Sequence, residues 1–222
     1  SYSVTGVQTC ALPICIRTYS MTGLEAIPSI ARKYGLKLYL GAWIGRDELS
    51  NKKEIDALIK AARENKDVIK AVIVGNEVLL RKELSGAKLA NYLKEVKAEL
   101  PDIPVTYADV WEFWLKNKEV ASATDFITIH ILPYWEDEPL AVEKTKEHIK
   151  KTVAEVREKM GDKEILIGET GWPSLGRTRE EATASPSSQA RFIREFLELA
   201  QNEGYNRSEE RRVGKECRSR WS

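Results

Sequence analysis

The chain has 222 residues, 42% of them hydrophobic and 31% charged, with a formal net charge of +1. This is a globular composition with length enough for one sizeable core; the balanced charge offers no electrostatic case for a nucleic-acid partner, and no apolar run nears the roughly 20 residues that span a bilayer. Three cysteines and two histidines without ligand spacing exclude a disulfide scaffold and disfavour a zinc site, so neither metal nor cofactor is expected.

Taken in chain order, "SYSVTGVQTCALPI" (1–14) shows neither helical period nor strand alternation. From Cys15 onward, short runs rich in β-branched and aromatic residues alternate with longer amphipathic ones. The runs "CIRTYS" (15–20) and "LKLYLGAWI" (36–44) read as strands. A helical pattern over 50–66 then aligns Ile55, Leu58, Ile59 and Ala62. The strand "AVIVGNEV" (71–78) precedes a helix over 85–100 that aligns Leu89, Tyr92, Leu93 and Val96 and is closed by Pro101. Strands "PVTYADVW" (104–111) and "DFITIHIL" (125–132) follow, then a helix over 142–160 stopped by Gly161, on which His148 is expected solvated or half-buried. The strand "EILIGETGW" (164–172) leads to a last helix over 185–204, with Ser185 as N-cap and Pro186 at its first position. "RSEERRVGKECRSRWS" (207–222) is charge-dense with almost no apolar face.

Repeated strand–helix units predict an α/β fold with parallel strands, and the nearly all-apolar strands fit a sheet covered on both faces. A doubly wound sheet and a (β/α)8 TIM barrel share this rhythm; no Gly-rich phosphate loop follows an early strand, which weighs against a nucleotide-binding sheet. Six strands fall short of the eight of a complete barrel. Both ends resemble peptides translated from sequencing adapters. They are therefore expected to lie outside the domain, which would run from 15 to 206. Taken by itself the C-terminal run reads as a solvated, disordered end or a basic tail. With the ends set aside the remainder is slightly acidic, and Cys15 stays as a buried structural thiol.

Polar and aromatic residues gather at the C-terminal ends of the strands: Arg17 and Tyr19, Trp43, Asn76 and Glu77, Tyr107, Asp109 and Trp111, His130, Tyr134, Trp135 and Glu136, and Glu169 with Trp172. In a barrel those ends share the face that carries the active site. "VIVGNEV" and "ILIGETGW" each end an apolar run and a Gly with a Glu. Strand alternation puts Ile73 and Gly75 on the face of Glu77, and Ile165 and Ile167 on that of Glu169. One strand-end Glu is read equally well as half of a stabilising ion pair. Two on different strands, ringed by Trp and Tyr, fit glycosidic bond cleavage, in which one carboxyl protonates the leaving oxygen and the other attacks the anomeric carbon.

The motifs "VIVGNEVLLR", "VTYADVWEFW", "ILPYWED" and "IGETGWPSLG" resemble glycoside hydrolase family 17, the β-1,3-glucanase-like family, in its bacterial form, across essentially all of 15–206. The resemblance implies a (β/α)8 barrel, Glu77 as acid/base, Glu169 as nucleophile, Asn76 near the sugar 2-hydroxyl, and Tyr19 as a strand-end aromatic. It also implies sugar subsites at Trp111, Tyr134, Trp135 and Trp172, a β-glucan substrate, and a retaining mechanism with the two carboxyls about 5–5.5 Å apart. On this registration strands two to seven are present and strands one and eight are missing. The barrel is thus expected to be incomplete, with exposed edges that make this chain poorly soluble and inactive. A β-glucan transglycosylase and a non-catalytic carbohydrate-binding barrel are the competing readings.

Overall fold

A computed structural model describes residues 15–207, so the expectations for 1–14 and 208–222 lie outside the described residues. The strands are β1 (Cys15–Arg17), β2 (Lys37–Ala42), β3 (Ile69–Asn76), β4 (Val105–Val110), β5 (Ile127–Ile131), β6 (Ile165–Thr170) and β7 (Asn206–Arg207). They form one parallel sheet in the order β1-β2-β3-β4-β5-β6-β7. A doubly wound sheet would reverse its order midway. Unbroken succession instead marks an incomplete (β/α)8 barrel.

The six strands read from the sequence are all present. The seventh was not expected: Asn206 and Arg207 pair with Leu166 and Ile167. Two residues carry no alternation pattern to read, so only the register reveals them. The β6 edge, expected to lie bare, is paired over that stretch, and the sheet reaches one residue past the expected boundary at Asn206.

The helices are α1 (Ile27–Lys33), α2 (Glu48–Glu64), α3 (Gly86–Glu99), α4 (Trp111–Lys116), α5 (Lys118–Ser122), α6 (Thr145–Met160) and α7 (Pro186–Glu203). The four long ones lie within three residues of their predicted bounds. Three of them start at side-chain caps: Asp47 accepts from the Ser50 amide at 2.9 Å, Ser85 from Lys88 at 3.3 Å and Ser185 from Ser188 at 3.0 Å, whereas α6 starts without one. The short helices α1, α4 and α5 were not anticipated, because one or two turns give too few residues to show a period.

Alternation divides the strand side chains between two cores. Val72 and Val74 join Leu58 of α2, Leu93 of α3, Val153 of α6 and Phe192 of α7 in the layer between sheet and helices. Ala71 and Ile73 turn to the concave side, against Tyr39, Ala108 and Leu166. Cys15 packs on this inner cluster half-buried rather than fully buried as expected. At the C-terminal rim Glu54 of α2 is a bracket. Its carboxylate accepts from the amides of Met21 at 2.7 Å, Thr22 at 3.0 Å and Trp43 at 3.0 Å, fixing the loops after β1 and β2 together.

Candidate active site

Two glycines set the direction of the carboxylates. In β3, Ile73 lies opposite Thr106 but Asn76 lies opposite Ala108, so Val74 and Gly75 face the single Tyr107. In β6, Ile167 lies opposite Ile129 but Glu169 lies opposite His130, so Gly168 is the extra residue. Each is a β-bulge that breaks the alternation of its strand. Simple parity therefore failed in β6. Ile167 packs toward the helices and Leu166 toward the concave side, the reverse of the expected face. The bulge then returns Glu169 to the concave mouth. Gly75 has φ +89°, and a Cβ there would meet Val78 Cγ2 at 2.8 Å, Ile44 at 3.4 Å and Tyr107 at 3.4 Å, so it does not share the face of Ile73. Glu77, at the end of the same strand, adopts a left-handed φ of 53°, which is costly for a residue with a Cβ.

These turns bring Glu77, His130 and Glu169 together, with one carboxylate or imidazole atom from each within 4.8 Å of the others. His130 Nδ1 lies 2.9 Å from Glu77 Oε1, and Nε2 lies 3.5 Å from Glu169 Oε1. Arg17 reaches across from β1. Its Nη1 donates to Glu169 Oε1 at 3.2 Å and to the Gly168 carbonyl at 3.2 Å, and lies 3.3 Å from His130 Nε2. Its Nη2 donates to Asn76 Oδ1 at 2.5 Å. Since Arg only donates, His130 Nε2 accepts and Nδ1 carries the hydrogen toward Glu77.

Burial pushes the His130 imidazole down to about 3, against the upward pull of Glu169, so the ring is neutral. Burial also pushes the Glu77 carboxyl above its ordinary range, while the charges of Arg81 and Arg17 pull it back. A carboxyl inclined to keep its proton thus stands beside a second one held by a guanidinium. The same donor trio could in outline hold a cation, but Glu169 and His130 already face Arg17 at 3.2 and 3.3 Å, which spends the site's charge complementarity on a side chain.

The remaining expected site residues divide by burial. Asn76 is buried and bonded to Arg17. Tyr19 is half-buried, its ring 4.5 Å below the Arg17 guanidinium. Trp111 is half-buried at the start of α4, and its indole N–H has no hydrogen-bond partner among the described residues. Trp135 is 42% exposed. Tyr134 and Trp172, expected at sugar subsites, are only 5% and 3% exposed. Trp172 stacks on Phe192 at 5.8 Å and donates to the Thr183 carbonyl at 3.0 Å. Tyr134 donates to the Arg177 carbonyl, and Arg179 Nη1 donates back to the Tyr134 carbonyl at 2.7 Å. Their rings therefore support the segment 173–184 from beneath rather than present a platform.

Arg17 and His130 were placed at strand ends by the sequence but given no role there, and Arg81 was not singled out. Arg81 donates to the carbonyls of Asn76 and, at 2.9 Å, Ile44, and its guanidinium lies 4.3 Å over the Trp43 ring. An Arg four residues beyond "GNE" was the available signal.

Residues 9–208 match the family described as the BtgE/BtgC glycoside hydrolase domain. The chain is 28% identical over 194 residues to a glucan 1,3-beta-glucosidase of Arthroderma benhamiae, covering 81% of this chain and 62% of that protein. It is 30% identical over 200 residues to a glucan 1,3-beta-glucosidase of Schizosaccharomyces pombe, covering 82% of this chain and 62% of that protein. The chain thus spans about three-fifths of the length of these relatives. Among solved structures, an active-site mutant of the Rhizomucor miehei beta-1,3-glucanosyltransferase in complex with laminaritriose superposes with a TM-score of 0.80 at 27% identity, covering 87% of this chain and 73% of that one.

Proposed function

The chain belongs to the BtgE/BtgC glycoside hydrolase domain family, among the β-1,3-glucanase-like glycoside hydrolases of family 17, and from that premise we propose that its site cleaves β-1,3-linked glucan by a retaining double displacement. The observation that carries this reading is the pair Glu77 and Glu169, one carboxylate oxygen of each lying within 4.8 Å of the other. That spacing leaves no room for a water between a base and the sugar, as an inverting enzyme needs, and suits direct attack by one of the two.

In the first step Glu169 forms a bond to the anomeric carbon as the bond from that carbon to the leaving oxygen breaks, and Glu77 delivers its proton to that oxygen. Burial favours the protonated form of Glu77, and Arg17 holds Glu169 in place for attack. In the second step Glu77, now ionised, takes a proton from water, and the oxygen of that water displaces Glu169 from the anomeric carbon. Asn76, held by Arg17, borders the place of the sugar 2-hydroxyl. Half-buried Trp111 and exposed Trp135 supply apolar faces for sugar rings.

A sugar hydroxyl can replace the water of the second step. The glucanosyltransferase likeness favours this variant specifically. Laminari-oligosaccharides incubated with the purified protein, and with a longer form that closes the barrel, distinguish the two by product length. Shortened products establish hydrolysis, and products longer than the substrate establish transfer. Loss of both in Glu169→Ala is required; turnover by Glu169→Ala would remove the nucleophile assignment.

A further inference from the structure

Behind Glu77 lies a second carboxyl that the double displacement does not use. Asp109, near the end of β4, is fully buried, and among the described residues no Lys or Arg pairs with it. Four donors converge on it instead. Its Oδ2 accepts from the amides of Leu79 at 3.2 Å and Leu80 at 3.3 Å and from the Tyr107 hydroxyl, and its Oδ1 accepts from the Val110 amide at 2.8 Å. The Tyr107 hydroxyl also receives the Leu79 amide at 3.0 Å. Leu79 and Leu80 are the second and third residues after Glu77 in the turn that leaves β3.

The backbone of Glu77 is tied to the same strand. Its amide donates to the Ala108 carbonyl at 2.8 Å, and its own carbonyl accepts from the Arg81 amide at 2.9 Å. Residues 107, 108 and 109 of β4 thus grip the chain immediately at and after Glu77. A left-handed φ at a Glu is strained and persists only where the surroundings over-determine it. The Ala108 carbonyl and Arg81 hold Glu77 itself, and the Asp109 carboxylate with Tyr107 holds the two residues that follow Val78. A buried carboxylate is itself expensive to keep, which calls for a reason beyond filling space.

We propose that Asp109, supported by Tyr107, is a positioning residue that holds the turn 77–80 so that Glu77 stays left-handed and aimed at the oxygen leaving the sugar. It touches no substrate and acts only through Glu77. The inference rests on the role proposed for Glu77. Asn at 109 has one acceptor oxygen where the carboxylate has two, so its NH2 group must face either the Val110 amide or the Leu79 and Leu80 amides with the Tyr107 hydroxyl.

The test is the dependence of rate on leaving group in Asp109→Asn. Laminari-oligosaccharides need the Glu77 proton, whereas an aryl β-glucoside with a nitrophenolate leaving group departs without it. The expected result is a fall in kcat/KM of about 10- to 100-fold on the oligosaccharide and of less than about threefold on the aryl substrate. Equal losses on both, or no loss on either, would overturn the proposal. Tyr107→Phe, which removes one hydroxyl, gives the same reading on a smaller scale if the Asn variant does not fold. Should the unsubstituted protein turn over neither substrate, as expected of the incomplete barrel, geometry replaces the rate comparison. The inference is then read from a crystal structure of Tyr107→Phe or Asp109→Asn: loss of the left-handed Glu77 supports it, and Glu77 retained at positive φ beside His130 overturns it.

Discussion

His130 sits between the two carboxylates with no exposed side-chain surface, and its contacts determine its charge. Burial lowers its folded pKa to about 3, below the ordinary 6.5, so it contributes stability above the unfolded value that is lost as pH falls toward the folded one. Ring carbon or nitrogen shifts of His130 followed by NMR are expected to stay flat from about pH 5 to 8; a midpoint near the ordinary value would show a charged ring. Glu77 has the opposite sign. Burial raises its folded pKa, so its contribution is present below the ordinary carboxylate range and is lost as pH rises through the folded value. Glu77→Gln is therefore expected to melt with the parent at about pH 4 and about 2–4 °C above it at pH 7 by calorimetry, while losing activity. Both carboxylates were legible in the sequence, since a Glu closing an apolar run after a Gly is conspicuous. Their partners were not: Arg17 and His130 lie 113 residues apart, and only barrel curvature brings them to 3.3 Å.

At the scale of the element, the bulges rather than the strands aim the chemistry. Four long helices and six strands could be read because each repeats its period several times. Parity inside β6 could not, because one extra residue reverses it without changing the apolar pattern. Gly168 is the pivot. A Cβ there would meet Thr128 Cγ2 at 2.6 Å, Arg17 Nη1 at 3.2 Å and His130 Cδ2 at 3.2 Å. Thr128 is fully buried in β5 and has little room to yield. Gly168→Ala is thus expected to displace Arg17 or the β6 backbone, costing about 1–3 kcal/mol in chemical denaturation. By moving Glu169 it should also lower kcat/KM on laminari-oligosaccharides about 100-fold. Unchanged kinetics would show that the bulge does not set the aim of Glu169.

Across the whole molecule the sheet is strongest in its middle. β2 to β5 each have neighbours on both sides and a helix layer against them, whereas β1 contributes three residues and β7 two. Hydrogen exchange followed by mass spectrometry should find the slowest amides in β3 and β4 and the fastest strand amides in β1 and β7. Equal protection in β1 and β3 would contradict that gradient. Arg17 belongs to β1, so one of the least anchored strands carries the guanidinium that orders the site. The segment 173–184 offers the opposite case. It is pinned by Trp172 to Thr183, by Tyr134 to Arg177, and by the Arg179–Ala182 bridge, while Leu175 at its tip is 80% exposed. The fastenings flank the tip, so Ser174 and Leu175 form a cassette that can be exchanged to reshape the rim of the cleft while the foundations under Glu169 stay untouched, whereas Gly176, at φ +153° and with the Tyr134 hydroxyl 3.1 Å from where a Cβ would sit, has to stay Gly.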